Sequence, residues 1–293
     1  MTWSTLPMPS RPWRRGQESR LSSSRAEGGS RVPTDVGRLL RMKRIFREDG
    51  KSLIVAMDHG QVMGPLSGLI DPAPAIKGVV RGGADAVMTT LGLVEQYGGL
   101  IAGRTGFVFS SPSMEDMEST VKLAVRFGAD AIRLFVKITG EDDSAMMASL
   151  WSASLECKKR GLPLLAEIYP TKSEQIPDPM DKDVVAKYSR IGAESGADFI
   201  KTFYTGSVDS FRHVVESCPV PVVVLGGPRM KTDRQALQVV KDSMEAGAAG
   251  VAFGRNIWQN KNPEGITRAI AGIIHRGWTL EHAMGHVHSS AKV

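Results

Sequence analysis

The chain has 293 residues, 42% of them hydrophobic, and a net charge of +6. That length can bury one large core or two modest ones, and no apolar run reaches the roughly 18 residues of a membrane-crossing helix. Residues 1–31 hold six arginines, no lysine and two acids, so most of the excess charge is local and does not mark a nucleic-acid or membrane partner.

Residues 1–33 read as a disordered basic tail, rich in Arg and Ser, with Pro7, Pro9, Pro12 and Gly28-Gly29 but no apolar periodicity. The composition resembles an organellar transit peptide, yet the prolines would break an amphipathic helix. An unstructured extension or an over-called start codon is the preferred reading, and a cytoplasmic location is expected by default. Residues 34–280 read as one catalytic domain and 281–293 as a C-terminal tail. Within the domain, Gly37–Phe46 has the spacing of a short amphipathic helix, able to cover one end of a barrel or to enter a subunit contact.

From Ser52 onward, short apolar runs alternate with longer amphipathic ones. The runs are Leu53–Met57, Ala86–Thr89, Gly106–Phe109, Ala131–Ile138, Pro163–Tyr169, Phe199–Tyr204, Val220–Leu225 and Gly250–Phe253. Helical spacing fills Asp116–Phe127, Ala145–Arg160, Asp181–Ser195 and Asp233–Ala246. Runs this short, without polar alternation, suit parallel strands covered on both faces. A repeat supports the pattern: Gly83-Ala84-Asp85-Ala86 recurs as Gly128-Ala129-Asp130-Ala131, as Gly196-Ala197-Asp198-Phe199 and, more loosely, as Gly247-Ala248-Ala249-Gly250. Each copy puts a glycine where a helix would stop in a left-handed cap and then enters a strand. Four copies of this unit among eight strand runs predict a (β/α)8 TIM barrel with a short N-terminal helix. A doubly wound open sheet would want a glycine fingerprint after its first strand, where the chain has Met57-Asp58-His59-Gly60.

Cys157 and Cys218 make neither a disulfide framework nor a metal motif and read as reduced packing residues. The chemistry is expected at the C-terminal ends of the strands. There the sequence offers Asp58-His59 after strand one, Glu167 and Tyr169 on strand five, and Lys201 on strand six. Gly226-Gly227-Pro228-Arg229 follows strand seven, and Gly254-Arg255 follows strand eight. Lys201 is a single cation in an apolar, aromatic run. Burial favours the neutral amine that attacks a ketone, although a lysine at the wet end of a strand would look the same.

The last two loops, glycine-rich and each entering a helix, suit a phosphate seat in which Gly226, Gly227 and Gly254 let backbone N–H groups approach and Arg255 or Arg229 adds charge. Alone, a Gly-Gly pair is only a turn. An amine, a carboxylate (Asp58) and a phenol (Tyr169) beside that seat suit proton transfer next to an iminium ion. Asp58 could instead be a turn residue before Gly60, and Tyr169-Pro170 a plain strand end. His59 points to the other side of its strand and is expected to orient a loop. His282, His286 and His288 cluster near the C-terminus, but only His59 lies at a strand end, so the reading is metal-free and needs no cofactor.

The chain resembles the archaeal-type class I fructose-bisphosphate aldolase family, the DeoC/FbaB-like aldolases, from about Gly37 to about His275. The resemblance rests on Met57-Asp58-His59-Gly60 with Gly64-Pro65, Tyr169-Pro170, Phe199–Gly206, Pro219–Gly227 and Gly247–Gln259. Within the family these segments are most similar to the 2-amino-3,7-dideoxy-D-threo-hept-6-ulosonate synthases, which are related to the autoinducer-2 phosphate thiolases. The resemblance implies a Schiff-base lysine at Lys201, a proton acceptor at Asp58, a proton donor at Tyr169 and phosphate contacts at Gly226, Gly227, Gly254 and Arg255. It also implies a homo-oligomer, typically a decamer, and a phosphorylated small-molecule substrate.

The departures concern the substrate. Glu167 stands where archaeal fructose-bisphosphate aldolases resemble one another in having tryptophan, and by alternation it shares the face of Tyr169. There it could bind a substrate ammonium or hydroxyl, or pair with Lys201. Thr171-Lys172 replaces an arginine-glycine pair, and Phe109-Ser110-Ser111-Pro112 ends strand three without the histidine-led segment of the synthases.

The leading expectation is therefore a class I aldolase or transaldolase acting on a phosphorylated ketose with a dihydroxyacetone-phosphate-type donor. The alternatives are a heptulosonate-type transaldolase with an amino-aldehyde acceptor, a coenzyme A-dependent thiolase of a phosphorylated dione, and an imine-free phosphosugar isomerase.

Overall fold

A computed structural model of the chain describes residues 35–113, 115–141 and 143–288. The basic tail at 1–33 and residues 289–293 lie outside them. Eight parallel strands close into a barrel in sequence order, β8 pairing back onto β1. They are β1 Ser52–Ala56, β2 Ala86–Thr89, β3 Gly106–Ser110, β4 Ala131–Ile138, β5 Leu164–Pro170, β6 Phe199–Thr202, β7 Val222–Leu225 and β8 Gly250–Phe253. The helices are α1 Val36–Ile45, α2 Gly60–Met63, α3 Pro72–Gly82, α4 Leu91–Ile101, α5 Met117–Arg126, α6 Asp143–Lys159, α7 Lys182–Glu194, α8 Val208–Ser217, α9 Asp233–Glu245, α10 Arg255–Trp258, α11 Pro263–Arg276 and α12 Leu280–His288.

The barrel and the eight expected runs agree to within a few residues. Among the differences, β7 starts at Val222 rather than Val220, and β6 stops at Thr202 rather than running to Tyr204. Tyr204 has already left the sheet and packs its ring on Phe211 of α8, 5.6 Å away. No helix among the described residues is long and apolar enough to cross a membrane.

Alternation within the strands separates two apolar layers. One lies between strands and outer helices. The other fills the barrel with Ile54, Ala86, Met88, Val108, Ala131, Leu165, Phe199, Val223 and Ala252, and is closed below by Ile45 and Phe46 at the end of α1. Phe46 stands edge-on to Phe199 with ring centroids 5.3 Å apart. Of the two places open to α1, it therefore occupies the N-terminal end of the barrel.

The Gly-Ala-Asp repeat explains how this end is held. The glycines take the left-handed conformation expected of them, with φ between 75° and 99° at Gly83, Gly128, Gly196 and Gly247. The aspartates have a role the sequence did not suggest. Asp85 accepts from the backbone N–H of Leu53 at 2.6 Å, Asp130 from that of Phe107 at 3.0 Å and Asp198 from that of Leu164 at 2.8 Å. Each extends the sheet by one bond below its first rung. Each also receives an arginine from the N-terminal segment: Arg47 on Asp85, Arg44 on Asp130 and Arg38 on Asp198. Charge pairing thus ties α1 and the turn after it to three of the eight strand junctions. The fourth copy has Ala249 instead, and only its backbone bonds, donating to Val222 at 2.8 Å.

His275 of α11 joins the first of these junctions. Its two ring nitrogens lie 2.8 Å from Asp85 and 2.8 Å from Asp49. Burial pushes His275 toward neutrality, but the two carboxylates outweigh it and hold its pKa above the ordinary histidine value. The group is protonated more tightly in the folded than in the unfolded chain. Its stabilising contribution is therefore complete below the ordinary value near 6.5 and is lost as pH rises through the folded pKa. Denaturant unfolding at several pH values is expected to show, as pH rises above the ordinary histidine value, a loss of stability that His275→Gln removes.

Residues 281–288, expected as tail, belong to α12. Ala283 and Val287 are buried against the barrel's outer layer. His282 and His286 pack on Trp278, with ring centroids 4.6 and 4.4 Å away.

Candidate active site

At the C-terminal mouth the inward-facing positions change from apolar to ionic. Lys201 and Glu167, directly opposite each other on β6 and β5, are each 5% exposed and their charged atoms meet at 2.8 Å. Of the roles the sequence left open for Glu167, pairing with Lys201 is the arrangement found. The second oxygen of Glu167 accepts from Arg133 Nε of β4 at 2.5 Å. Arg133 donates on to Ser110 Oγ of β3 at 3.3 Å and stands 3.9 Å from Asp58. Ser110 in turn donates to Asp58 at 2.6 Å. Two cations, two anions and a hydroxyl thus form one continuous network across the barrel.

The electrostatics follow from that network. Burial drives Asp58 and Glu167 toward protonation, but the charges of Arg133 and Lys201 and the attached hydrogen bonds outweigh it, and both carboxyls lie below their usual range. Both are anions at neutral pH. Tyr169 is the next inward position outward from Glu167 on β5. Its ring packs between Phe135 and Phe203, at 5.1 and 4.7 Å.

The loops after β7 and β8 lie beside this layer. Asn256 ties them together, donating to the carbonyls of Gly226 at 2.9 Å and Pro228 at 3.3 Å while accepting from Met230 N at 2.8 Å. Gly254 is required by close approach, since a Cβ there would stand 2.6 Å from His59 Cε1 and 2.7 Å from the Ala56 carbonyl. Arg255 Nε is buried without a protein acceptor, a donor that an anion at this mouth would satisfy. His59 packs its ring edge-on to Trp258, 5.4 Å away, and burial holds its pKa below the ordinary histidine value. It supports the loop after β8 as a neutral ring.

Asp58, Glu167 and Lys201 are thus brought into one network, with Tyr169, His59, Gly226, Gly227, Gly254 and Arg255 around it. Arg229 stands with its guanidinium 3.6 Å from Asp233 at the start of α9. Arg133 and Ser110 were missed. The signal for Arg133 was available, because a cation in the apolar run Ala131–Ile138 is the same anomaly that marked Lys201. No group of three His, Cys, Asp or Glu side chains placed to hold a metal ion occurs among the described residues. Cys157 and Cys218 are buried, and burial pushes the Cys157 thiol up to about 12.

Comparison with known proteins points the same way as the fold. Residues 52–260 match the DeoC/LacD family aldolases. The chain is 34% identical over 250 residues to the 2-amino-3,7-dideoxy-D-threo-hept-6-ulosonate synthase of Halobacterium salinarum, covering 83% of this chain and 93% of that one. It is 31% identical over 252 residues to the 2-amino-4,5-dihydroxy-6-oxo-7-(phosphonooxy)heptanoate synthase of Streptomyces griseus, covering 83% and 92%. Among solved structures it is similar to an archaeal fructose-1,6-bisphosphate aldolase whose catalytic lysine is covalently bound to the carbinolamine intermediate of its substrate. That match has 29% identity, 81% and 99% coverage and a TM-score of 0.72.

Proposed function

The chain belongs to the DeoC/LacD family of aldolases, and on that premise we propose that it is a metal-independent class I enzyme whose Lys201 forms a Schiff base with a phosphorylated ketone of the dihydroxyacetone phosphate type. The observation that carries this reading is the buried Lys201–Glu167 contact of 2.8 Å at the C-terminal end of the barrel. Lys201 must shed a proton before its nitrogen can attack, and Glu167 is the acceptor in hydrogen-bond reach. The amine adds to the ketone carbon, the carbinolamine loses water, and the resulting iminium draws electrons from the adjacent carbon–carbon bond.

In the cleavage direction Asp58, held ionised, takes the proton from the hydroxyl of the departing aldehyde as that bond breaks. The electron pair passes to the iminium nitrogen as an enamine. Tyr169 gives a proton to the enamine carbon and is restored by the proton that Asp58 took up, and water then adds to the iminium and releases the ketone and the Lys201 amine. Condensation is the reverse. The phosphate seat is assigned to the loops after β7 and β8, supported by the unpartnered Nε of Arg255 and the glycines beside it.

A second reading concerns the acceptor. Both curated relatives are named as synthases of seven-carbon keto acids bearing an amino group. An amino-aldehyde acceptor is therefore the first to try against glyceraldehyde 3-phosphate.

Borohydride reduction in the presence of dihydroxyacetone phosphate, followed by peptide mapping, tests the proposal. The expected result is one reduced adduct, on Lys201. A folded protein that takes no label, alongside a control aldolase that does, would remove this donor and direct the search to a phosphorylated dione.

A further inference from the structure

We propose that Arg133 is a positioning residue that keeps Asp58 and Glu167 ionised together, so that the buried layer is electrically neutral when Lys201 carries the iminium. The inference rests on the Schiff-base reading above and adds to it an assignment for the charge next to the imine.

The geometry is a guanidinium between two carboxylates. Arg133 donates to Glu167 at 2.5 Å, stands 3.9 Å from Asp58, and reaches the same Asp58 oxygen through Ser110, by contacts of 3.3 and 2.6 Å. The remaining polar groups around the two carboxylates are accounted for. Lys201 faces Glu167 from β6, Tyr169 lies one inward step outward on β5, and Lys137 of β4 is exposed at the mouth. His59, a neutral ring, has its Nδ1 3.5 Å from Asp58, and Arg255 enters from α10.

Two cations balance two anions, but they are not equivalent. Arginine holds its proton at any pH the enzyme meets, whereas Lys201 must discharge to attack and regains a positive charge as the iminium. Arg133 is thus the constant cation of the cycle and Lys201 the variable one. Without Arg133 the layer would carry a net charge of −1, whether Lys201 is an ammonium, has passed its proton to Glu167 or carries the iminium. Two carboxylates sharing a buried site do not both stay ionised under those conditions, and one takes up a proton. A proton on Asp58 removes the base, and a proton on Glu167 removes the acceptor for Lys201.

The probe is dihydroxyacetone phosphate alone in deuterium oxide. Enamine formation exchanges a carbon-bound hydrogen beside the ketone, which proton NMR follows as a function of pH. In Arg133→Met the acid limb of the exchange profile is expected to move up by about 1–3 pH units. In Arg133→Lys, which keeps the charge, it is expected to stay near that of the parent. An unmoved acid limb in Arg133→Met, with the rate lowered evenly at all pH values, would reduce Arg133 to packing and overturn the proposal. Carbon-13 NMR titration of the Asp58 and Glu167 carboxyls reads the same role without turnover. A raised value for either in Arg133→Met supports it, and two unchanged values overturn it. Absence of a borohydride adduct with dihydroxyacetone phosphate in the parent protein would instead remove that donor from the proposed function, so the two failures are distinguishable.

Discussion

Replacing Lys201 with methionine is expected to lower kcat/KM for aldol cleavage by at least about 10⁴-fold and to abolish borohydride-dependent labelling, because no other amine in the buried layer can form the imine. The variant should still fold. Methionine fills a similar volume, and Glu167 keeps its bond to Arg133, so no carboxylate is left without a cation. Circular dichroism and a thermal melt check that condition before the kinetics are read.

The informative companion is Lys201→Arg. It restores the positive charge beside Glu167 but places there a guanidinium that does not deprotonate and so cannot attack a carbonyl. Both variants are expected to be equally inactive. Retention by Lys201→Arg of a tenth or more of the parent's turnover of a phosphorylated ketose, without cleavage products, would mean that the charge alone suffices. An imine-free isomerisation using Asp58 and Tyr169 would then be the better account.

The second large effect is expected at the opposite end of the barrel. Asp85 is 8% exposed and serves three donors at once: the Leu53 backbone, Arg47 and His275. Asp85→Ala leaves a strand N–H without its acceptor and two cationic groups without their shared anion. Removing one partner of a buried, hydrogen-bonded charge cluster costs about 3–5 kcal/mol. For a chain of this size each kcal/mol lowers Tm by about 2–4 °C, so a fall on the order of 10 °C is expected.

Asp209→Ala is the control. Its ion pair with Arg212 lies on the surface of α8, with the Asp209 side chain 92% exposed, and its loss should cost no more than about 1 kcal/mol. If the two substitutions proved equally mild, the aspartates of the repeat would be bystanders rather than the ties that hold α1 to the barrel. At a temperature where Asp85→Ala remains folded, its adduct on Lys201 should form as in the parent, since the junction lies beyond the apolar layer that separates the two ends.

What the sequence determined was local. Short runs of Val, Ile and Phe report strands buried on both faces, and the glycine of the fourfold repeat reports a left-handed turn between helix and strand. Four copies of that turn among eight strand runs leave a closed barrel as the economical solution, and the barrel in turn directs attention to strand ends and hence to Asp58, Tyr169, Lys201 and the loops after β7 and β8. Glu167 could be placed inside the barrel because alternation along one strand is also local.

What the tertiary structure decided was partnership. Arg133 and Lys201 are 68 positions apart and meet on Glu167 only because strand register brings β4, β5 and β6 level. The same holds for Arg38, Arg44 and Arg47, which find Asp198, Asp130 and Asp85 only once the barrel has closed over α1. A buried charge announces in sequence that it needs a counter-charge. Which one it receives depends on the closure of eight strands, and no stretch of chain shorter than the barrel carries that information.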